Sequence, residues 1–375
     1  MHTDEAEALL RNARRATPFM VTDLRVVQQQ VRAFRAALPS CDTYYAIKAN
    51  HDRDVLQAIH AIGVRFEIAS VGELQIAMDA GIPATDCIFS NPVKVPGHLQ
   101  TSYAHGVREF AFDSIDELDK IAKYAPSVSV YLRVAVPDAR SSFPLSRKFG
   151  ADWTDAPRLA QHAQEIGLNM DGLTFHVGSQ CVDAGAWREA IRTISGVVHS
   201  LESRGIEIAH LNLGGGFPVR YCSPVPSIAE IGAVITQSIE DLLPTGLHIR
   251  AEPGRLFVAD ASSIACTVIG RETRLGREWL YLDMGAFQGL IECLENPNWA
   301  FPIESTQRAT PGCEFNTFTL SGPTCDPADA VGHGVLLPND VSTGDRLIIR
   351  VTGAYSLVYA SAFNGFAPPT VYTVR

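Results

Sequence analysis

The chain is predicted to be an α/β protein: a (β/α)8 TIM-type barrel over residues 23–260, then a mainly β domain, a β-barrel or sandwich, over residues 261–375. An N-terminal strand within residues 1–22 is expected to join the second domain. Three observations carry this. The 375 residues exceed what one hydrophobic core usually organises, and a barrel of roughly 250 residues leaves room for a second domain. Up to Asp260, amphipathic stretches alternate with short β-branched runs. Beyond Asp260, strand-like runs follow one another across turn-rich stretches with few helical periods.

Taken in order, Leu24 to Leu38 has helical periodicity and Thr43 to Ile47 reads as a strand. Val55 to Ile62 and Val64 to Ile68, then Val71 to Asp79 and Cys87 to Phe89, repeat the alternation. Further strands follow at Glu109 to Phe112, Val128 to Ala135, Gly172 to Val177, His210 to Leu213 and His248 to Ala251. Strand-then-helix units of this length imply parallel strands joined by crossover helices, and about eight of them imply a closed barrel. In the second domain the strands are Ile264 to Ile269, Trp279 to Leu282, Phe315 to Leu320, Arg346 to Val351 and Thr370 to Val374, with Thr17 to Val21 as the N-terminal one.

Hydrophobic residues make up 46% and charged residues 19%, which excludes the composition of a disordered chain. A net charge of -10 opposes nonspecific binding to nucleic acid or anionic lipid, so small molecules are the expected partners. Met1-His2-Thr3-Asp4-Glu5 lacks the basic and apolar regions of a secretory signal, and no apolar run approaches the roughly 18 residues of a membrane span. A cytoplasmic location is expected. The 8 cysteines contain no Cys-x-x-Cys, and there is no His-Glu-x-x-His, so neither a disulfide framework nor a metal site is signalled.

Lysine occurs only at Lys48, Lys94, Lys120, Lys123 and Lys148. Lys48 directly ends an apolar strand, in Tyr44-Tyr45-Ala46-Ile47-Lys48, where barrel enzymes place their active sites. A partly desolvated amine there can form a Schiff base, although the position also suits a solvated surface charge. Leu213-Gly214-Gly215-Gly216-Phe217 lets backbone N–H groups approach an anion, or else makes a tight turn. The run fits neither the dinucleotide fingerprint nor the nucleotide P-loop spacing. Glu252-Pro253-Gly254-Arg255 offers a carboxylate for a pyridinium nitrogen and a guanidinium for a phosphate, or an internal ion pair at a turn. His176 follows another apolar run, and its flat ring suits either stacking on a cofactor or a structural role.

These four motifs, in this order and each at a strand end, resemble the fold-type III pyridoxal-phosphate decarboxylases, the family of ornithine, lysine, arginine and diaminopimelate decarboxylases. Gly322-Pro323-Thr324-Cys325-Asp326, Gly353-Ala354-Tyr355 and Ser361-Ala362-Phe363-Asn364-Gly365-Phe366 look like the ornithine decarboxylase branch. The resemblance implies pyridoxal 5'-phosphate as cofactor, bonded to Lys48, with His176 on its ring and Glu252 at its pyridinium nitrogen. It implies that Gly214, Gly215, Gly216, Ser179, Arg255 and Tyr355 hold the phosphate, with Glu67 and Arg133 near the cofactor. It gives Cys325 the return of a proton to Cα. Cys325 and Asp326 would reach into the partner's site, so the active unit is expected to be a homodimer with shared active sites.

For the substrate, the resemblance points to a small basic L-amino acid such as ornithine, decarboxylated to its amine, as in polyamine biosynthesis. In ornithine-type relatives a Tyr-Asp pair contributes a carboxylate for the distal ammonium, and the corresponding positions here are Glu295 and Asn296. Glu295 and Asp326 are the expected carboxylates, with Asn296 and Phe363 completing the pocket. The departure at Asn296 leaves open a decarboxylase of a non-basic or modified amino acid in specialised metabolism. A racemase is disfavoured, because such enzymes place an arginine rather than a glutamate at the ring nitrogen. A non-catalytic regulatory homologue would lack the lysine or the phosphate ligands, and both are present here.

Overall fold

A computed structural model describes residues 2–307 and 312–375. It divides into two compact units. One comprises Gln30–Pro218 and Val225–Gly254; the other comprises Met1–Gln29, Val219–Pro224 and Arg255–Arg375. The division falls at Gly254, a few residues ahead of Asp260, because Gly353 N–H bonds to Ala259 O and Thr352 N–H to Ser262 O, both at 3.0 Å.

The first unit is a closed barrel of eight parallel strands, as the alternation predicts. In chain order they are Cys41–Ala46, Arg65–Ile68, Cys87–Phe89, Glu109–Phe112, Ser129–Arg133, Asn169–Thr174, His210–Asn212 and His248–Ala251, the last pairing back to the first. Helices that follow the strands start where a side chain can satisfy their first N–H groups. Asp52, Ser70, Ser114 and Ser227 act as caps, Ser227 in a reciprocal capping box with Glu230. Several strands end before their expected apolar runs do. The strand ending at Thr174 stops before Phe175-His176-Val177, which frees His176 from the ladder. A small antiparallel sheet pairs Ser141–Phe143 with Ser179–Cys181.

The barrel interior is layered. Tyr44, Ile88, Ala111 and Tyr131 form a buried cluster. Towards the N-terminal ends of the strands lies a polar layer, in which Arg250 pairs with Glu109 from another strand and His210 Nδ1 is 3.6 Å from Asp171. Burial, then Arg250 and His248, bring the His210 pKa down to about 3, so it is neutral. Gly172 makes room for that imidazole, since a methyl there would overlap the ring. The other face of the cluster meets the C-terminal mouth of the barrel.

In the second unit, Ser262–Arg274, Arg277–Leu282, Ile303–Ser305, Phe315–Ser321, Ala330–Pro338 and Arg346–Ile349 form one sheet. Phe19–Asp23 adds to it, antiparallel to Ser262–Arg274 and parallel to Thr370–Val374. Ala6, Leu10, Phe19, Val21, Ala265, Ile348 and Val374 make a core cluster. Ala330–Pro338 is legible only in the structure, because Gly332, His333 and Gly334 interrupt its alternation.

Candidate active site

Five residues singled out in the sequence line one cavity of about 510 Å3 in the barrel unit: Lys48, Glu67, Arg133, His176 and Glu252. Lys48 sits in the helical turn Ile47–Ala49, just past the strand Cys41–Ala46. Its side chain is 43% exposed and its amine bonds to the Glu67 carboxylate, which is 1% exposed. An amine anchored to a buried carboxylate yet open to a cavity is held in place and reachable, as a nucleophile must be.

Lys94 provides the contrast. Its amine is fully buried and donates to Asn91 O at 2.8 Å and Ala111 O at 2.5 Å, with Glu117 at 3.1 Å. Burial brings its pKa down to about 8, against the opposing pull of Glu117. Its bonds tie the loop carrying Asn91, part of the cavity wall, to the neighbouring strand and helix.

Glu252 lies one residue past the strand His248–Ala251. Ser90 Oγ–H and Asn212 Nδ2–H both donate to its Oε1, at 2.5 and 2.6 Å. Tyr131 OH is 2.6 Å from Ser90 Oγ, so it donates to Ser90 while Ser90 donates to the carboxylate. Burial and the nearby Glu67 push the Glu252 carboxyl up, while Lys48, Ser90 and Asn212 pull it down. Two donors on one oxygen fix the carboxylate plane. Oε2 takes no hydrogen bond among the described residues, which suits a protonated ring nitrogen.

His176 Nδ1 accepts the Gly178 N–H at 3.0 Å. Burial, then Arg133 and Lys48, hold the imidazole well below its usual pKa, so it is a neutral ring with its proton on Nε2. Arg133 ends its strand with its guanidinium 5.5 Å from the Phe149 ring centroid.

The glycine run abuts this site. Gly214 and Gly216 have φ of +65° and +98°. A methyl on Gly215 would press on Glu252 O and the His176 ring, and one on Gly216 would overlap Gly178 O. Gly214 N–H is spent on Asn212 Oδ1 at 2.9 Å. The N–H groups of Gly215 and Gly216 donate to no acceptor among the described residues, so the run offers two anion-binding donors rather than three. Ser179 opens the short strand Ser179–Cys181. An unshared carboxylate oxygen, a neutral flat ring, unspent backbone donors and a reachable amine fit pyridoxal phosphate. Among the described residues there is no cluster of three or more His, Cys, Asp or Glu able to hold a metal.

The remaining expected residues belong to the other unit. Arg255 Nη1 donates to Tyr221 OH at 2.8 Å and to Glu292 at 2.9 Å, and Nη2 completes a two-pronged pair with Glu292. The Tyr355 ring centroid lies 4.7 Å from its guanidinium carbon. Glu295 ends the short helix Glu292–Glu295, where burial and Glu292 push its carboxyl up and Arg255 opposes them. Asn296 Oδ1 accepts the Asn298 N–H at 3.0 Å, a turn-forming role. Cys325 is exposed, with its N–H and thiol bonded to Asn364 Oδ1 at 3.3 and 3.4 Å. Asp326 accepts the Ala328 N–H at 2.9 Å, and Phe363 packs 5.1 Å from Phe287, ring to ring.

Sequence reading missed Ser90, Asn212 and Glu292. The first two had a faint signal, since each is a polar residue at or just past the end of a barrel strand. Glu292 had none, because its partner lies 37 positions away.

Residues 24–259 match the family model for the pyridoxal-binding domain of pyridoxal-dependent decarboxylases. The chain is 32% identical to the lysine/ornithine decarboxylase of Selenomonas ruminantium over 95% of this chain and 90% of the relative. It is 33% identical to the ornithine decarboxylase of Caenorhabditis elegans over 94% and 86%. The crystal structure of the Vibrio vulnificus lysine/ornithine decarboxylase complexed with cadaverine superposes with a TM-score of 0.90 at 31% identity, covering 100% of both chains.

Proposed function

From the premise that the chain belongs to the fold-type III pyridoxal-phosphate-dependent decarboxylases, we propose that it removes the α-carboxylate of a small basic L-amino acid, ornithine or lysine first, leaving the amine. The enzyme class and the cofactor, pyridoxal 5'-phosphate, come with the family. The observation that carries the reading is Glu252, which lines the cavity with two donors on one carboxylate oxygen and no hydrogen bond to the other among the described residues.

Pyridoxal phosphate, when bound, supplies an electron sink for the pair left on Cα as CO2 departs. Lys48 would hold it through its amine, which the cavity leaves reachable. Glu67 keeps the Lys48 amine in position. Glu252 keeps the ring nitrogen protonated, because an anion beside it favours the charged form. His176 would face the ring and, being neutral, add no competing charge. Gly215, Gly216 and Ser179 would take the phosphate from the barrel; the family resemblance adds Arg255 and Tyr355 as its ligands, the charge of Arg255 being balanced by Glu292. Cys325 of a partner subunit returns the proton to Cα, and Glu295 and Asp326 meet the distal ammonium, which is costly to desolvate without an anion.

The active form is a homodimer in the cytoplasm. No helix among the described residues is long and apolar enough to cross a membrane. The test is direct: incubate the purified protein with pyridoxal phosphate and a panel of amino acids, and measure CO2 and amine by mass. Faster turnover of a neutral or acidic amino acid than of ornithine and lysine would overturn the basic-substrate assignment and leave the decarboxylase assignment standing.

A further inference from the structure

Glu252 is a carboxylate under opposing demands. Burial and the neighbouring Glu67 raise its affinity for a proton, against Lys48, Ser90 and Asn212. A proton held between a ring nitrogen and a carboxylate goes to the stronger base, so Glu252 leaves it on the nitrogen only while its own basicity is held down. Donated hydrogen bonds do this, because they stabilise the anion. Asn212 has its NH2 turned to Glu252 by its own Oδ1, which is engaged by Gly214 N–H. Ser90, just past the strand Cys87–Phe89, carries a hydroxyl that can rotate. Tyr131 removes that freedom. It is fully buried, and Ser90 Oγ is its one hydrogen-bond partner among the described residues. Burial, then Glu252, push its phenol well above the usual range, so it keeps its proton. With that proton filling a lone pair of Ser90 Oγ, the serine proton is left for Glu252. A hydroxyl that accepts one bond also donates a stronger one. The Tyr131 ring is itself held, packed with Tyr44, Ile88 and Ala111 and 5.7 Å from the His210 ring.

We propose that Tyr131 and Ser90 are positioning residues for the reaction: Tyr131 acts solely through Ser90, aiming the serine proton at Glu252, and the pair thereby keeps the cofactor's proton on its ring nitrogen. This rests on the decarboxylase reading, which sets Glu252 at that nitrogen. Ser90 and Tyr131 keep their own protons, and no bond to either is made or broken. What they change is the division of one proton between Glu252 and the nitrogen, and with it the strength of the electron sink. The same pairing implies an asymmetry in stability. Removing Ser90 Oγ alone leaves a buried phenol without a partner, whereas removing both hydroxyls together leaves no orphaned donor.

The experiment uses chains carrying Ser90→Ala, Tyr131→Phe and both. Stripped of cofactor, each is titrated by protein fluorescence with pyridoxal phosphate and with deazapyridoxal phosphate, whose ring has carbon in place of the nitrogen. The holoenzymes give kcat and KM for ornithine and lysine. The parent should prefer pyridoxal phosphate. Ser90→Ala should cut that preference, and kcat, about threefold to tenfold, the worth of one hydrogen bond, with KM and affinity for the analogue held within about twofold. Tyr131→Phe should cut both about twofold to threefold, by weakening the Ser90 donor. The double variant should match Ser90→Ala in both measures while melting at a higher temperature than it does. An unchanged preference in Ser90→Ala overturns the proposal. So does a double variant whose loss is the product of the single losses, because Tyr131 would then act apart from Ser90. Equal losses with both cofactors overturn it in favour of a packing role. Failure of the underlying reading shows in the parent itself, as equal affinity for the two cofactors or no CO2 from either amino acid, and takes the proposal with it.

Discussion

Asn212→Asp exchanges one NH2 for an oxygen of nearly equal size at a position only 1% exposed. Oδ1 is retained, so the bond from Gly214 N–H survives. The new oxygen faces Glu252 Oε1 across 2.6 Å. Two like charges at that distance repel by roughly 6 kcal/mol at an effective dielectric constant of about 20, equivalent to about four pKa units. The new carboxyl therefore stays protonated in acid and donates to Glu252 much as the amide did. As pH rises it ionises, repels Glu252 and removes a donor that fixed its plane. Expected in the variant are near-parental kcat/KM at about pH 6 and a new alkaline limb by about pH 8. The stability sign follows from linkage. A carboxyl whose folded pKa is raised contributes fully below its unfolded value near 4, and its contribution is lost as pH rises through the folded value. The melting temperature of the variant should thus fall increasingly below the parent between pH 5 and 9. The assay is kcat/KM and melting temperature of both holoenzymes across that range. Parallel pH profiles with a constant melting difference would refute the reasoning about Glu252.

Lys48→Ala should abolish turnover and the visible absorbance of lysine-bound cofactor, and borohydride reduction of the parent should label Lys48; recovery of the label on Lys94 or Lys148 would reassign the nucleophile. Mixing inactive Lys48→Ala and Cys325→Ala chains should restore about a quarter of the sites, because half the dimers then carry one intact site; no recovery with subunit exchange confirmed would mean that each site is built from one chain. Glu295→Gln should raise KM for a diamino acid about tenfold if the lost contact is worth about 1.4 kcal/mol, with little effect on a neutral amino acid of similar length. Lys94→Met reports a buried cation: the Lys94 pKa drops from 10.5 to about 8 on folding, so the parent should gain about 3 kcal/mol relative to the variant as pH rises between those values. A pH-independent difference between the two would show that Lys94 keeps its charge throughout.

The barrel was legible because a closed parallel sheet imposes its alternation on the chain, and short strands such as Glu109–Phe112 and His248–Ala251 coincide with their apolar runs. Lys48, His176 and Glu252 were legible for the same reason, since strand ends converge on one mouth whatever their spacing in sequence. What supports them was not. Ser90 and Asn212 serve Glu252 from two other strands, and a serine or asparagine at a strand end looks the same whether or not a carboxylate faces it. Arg255 was expected as a free phosphate ligand or a local ion pair, and its pairing with Glu292 depends on a tertiary contact. The burial of Lys94 left no mark in the sequence, because the closeness of Glu117 and two carbonyls is set by packing.

The Tyr44, Ile88, Ala111 and Tyr131 cluster has a further consequence, because it stands between the cavity groups and the Arg250–Glu109 layer. Ile88 and Ala111 offer no group to carry a proton across it, so any link between the two ends runs through the tyrosines: Tyr131 OH joins Ser90 and Glu252, while its ring lies 5.7 Å from the His210 ring. His210, held neutral by burial, adds no charge beneath that tyrosine and supplies no proton to the reaction. Redesign of the lower layer for heat tolerance must accordingly keep the packing under Tyr131, whose hydroxyl serves Ser90.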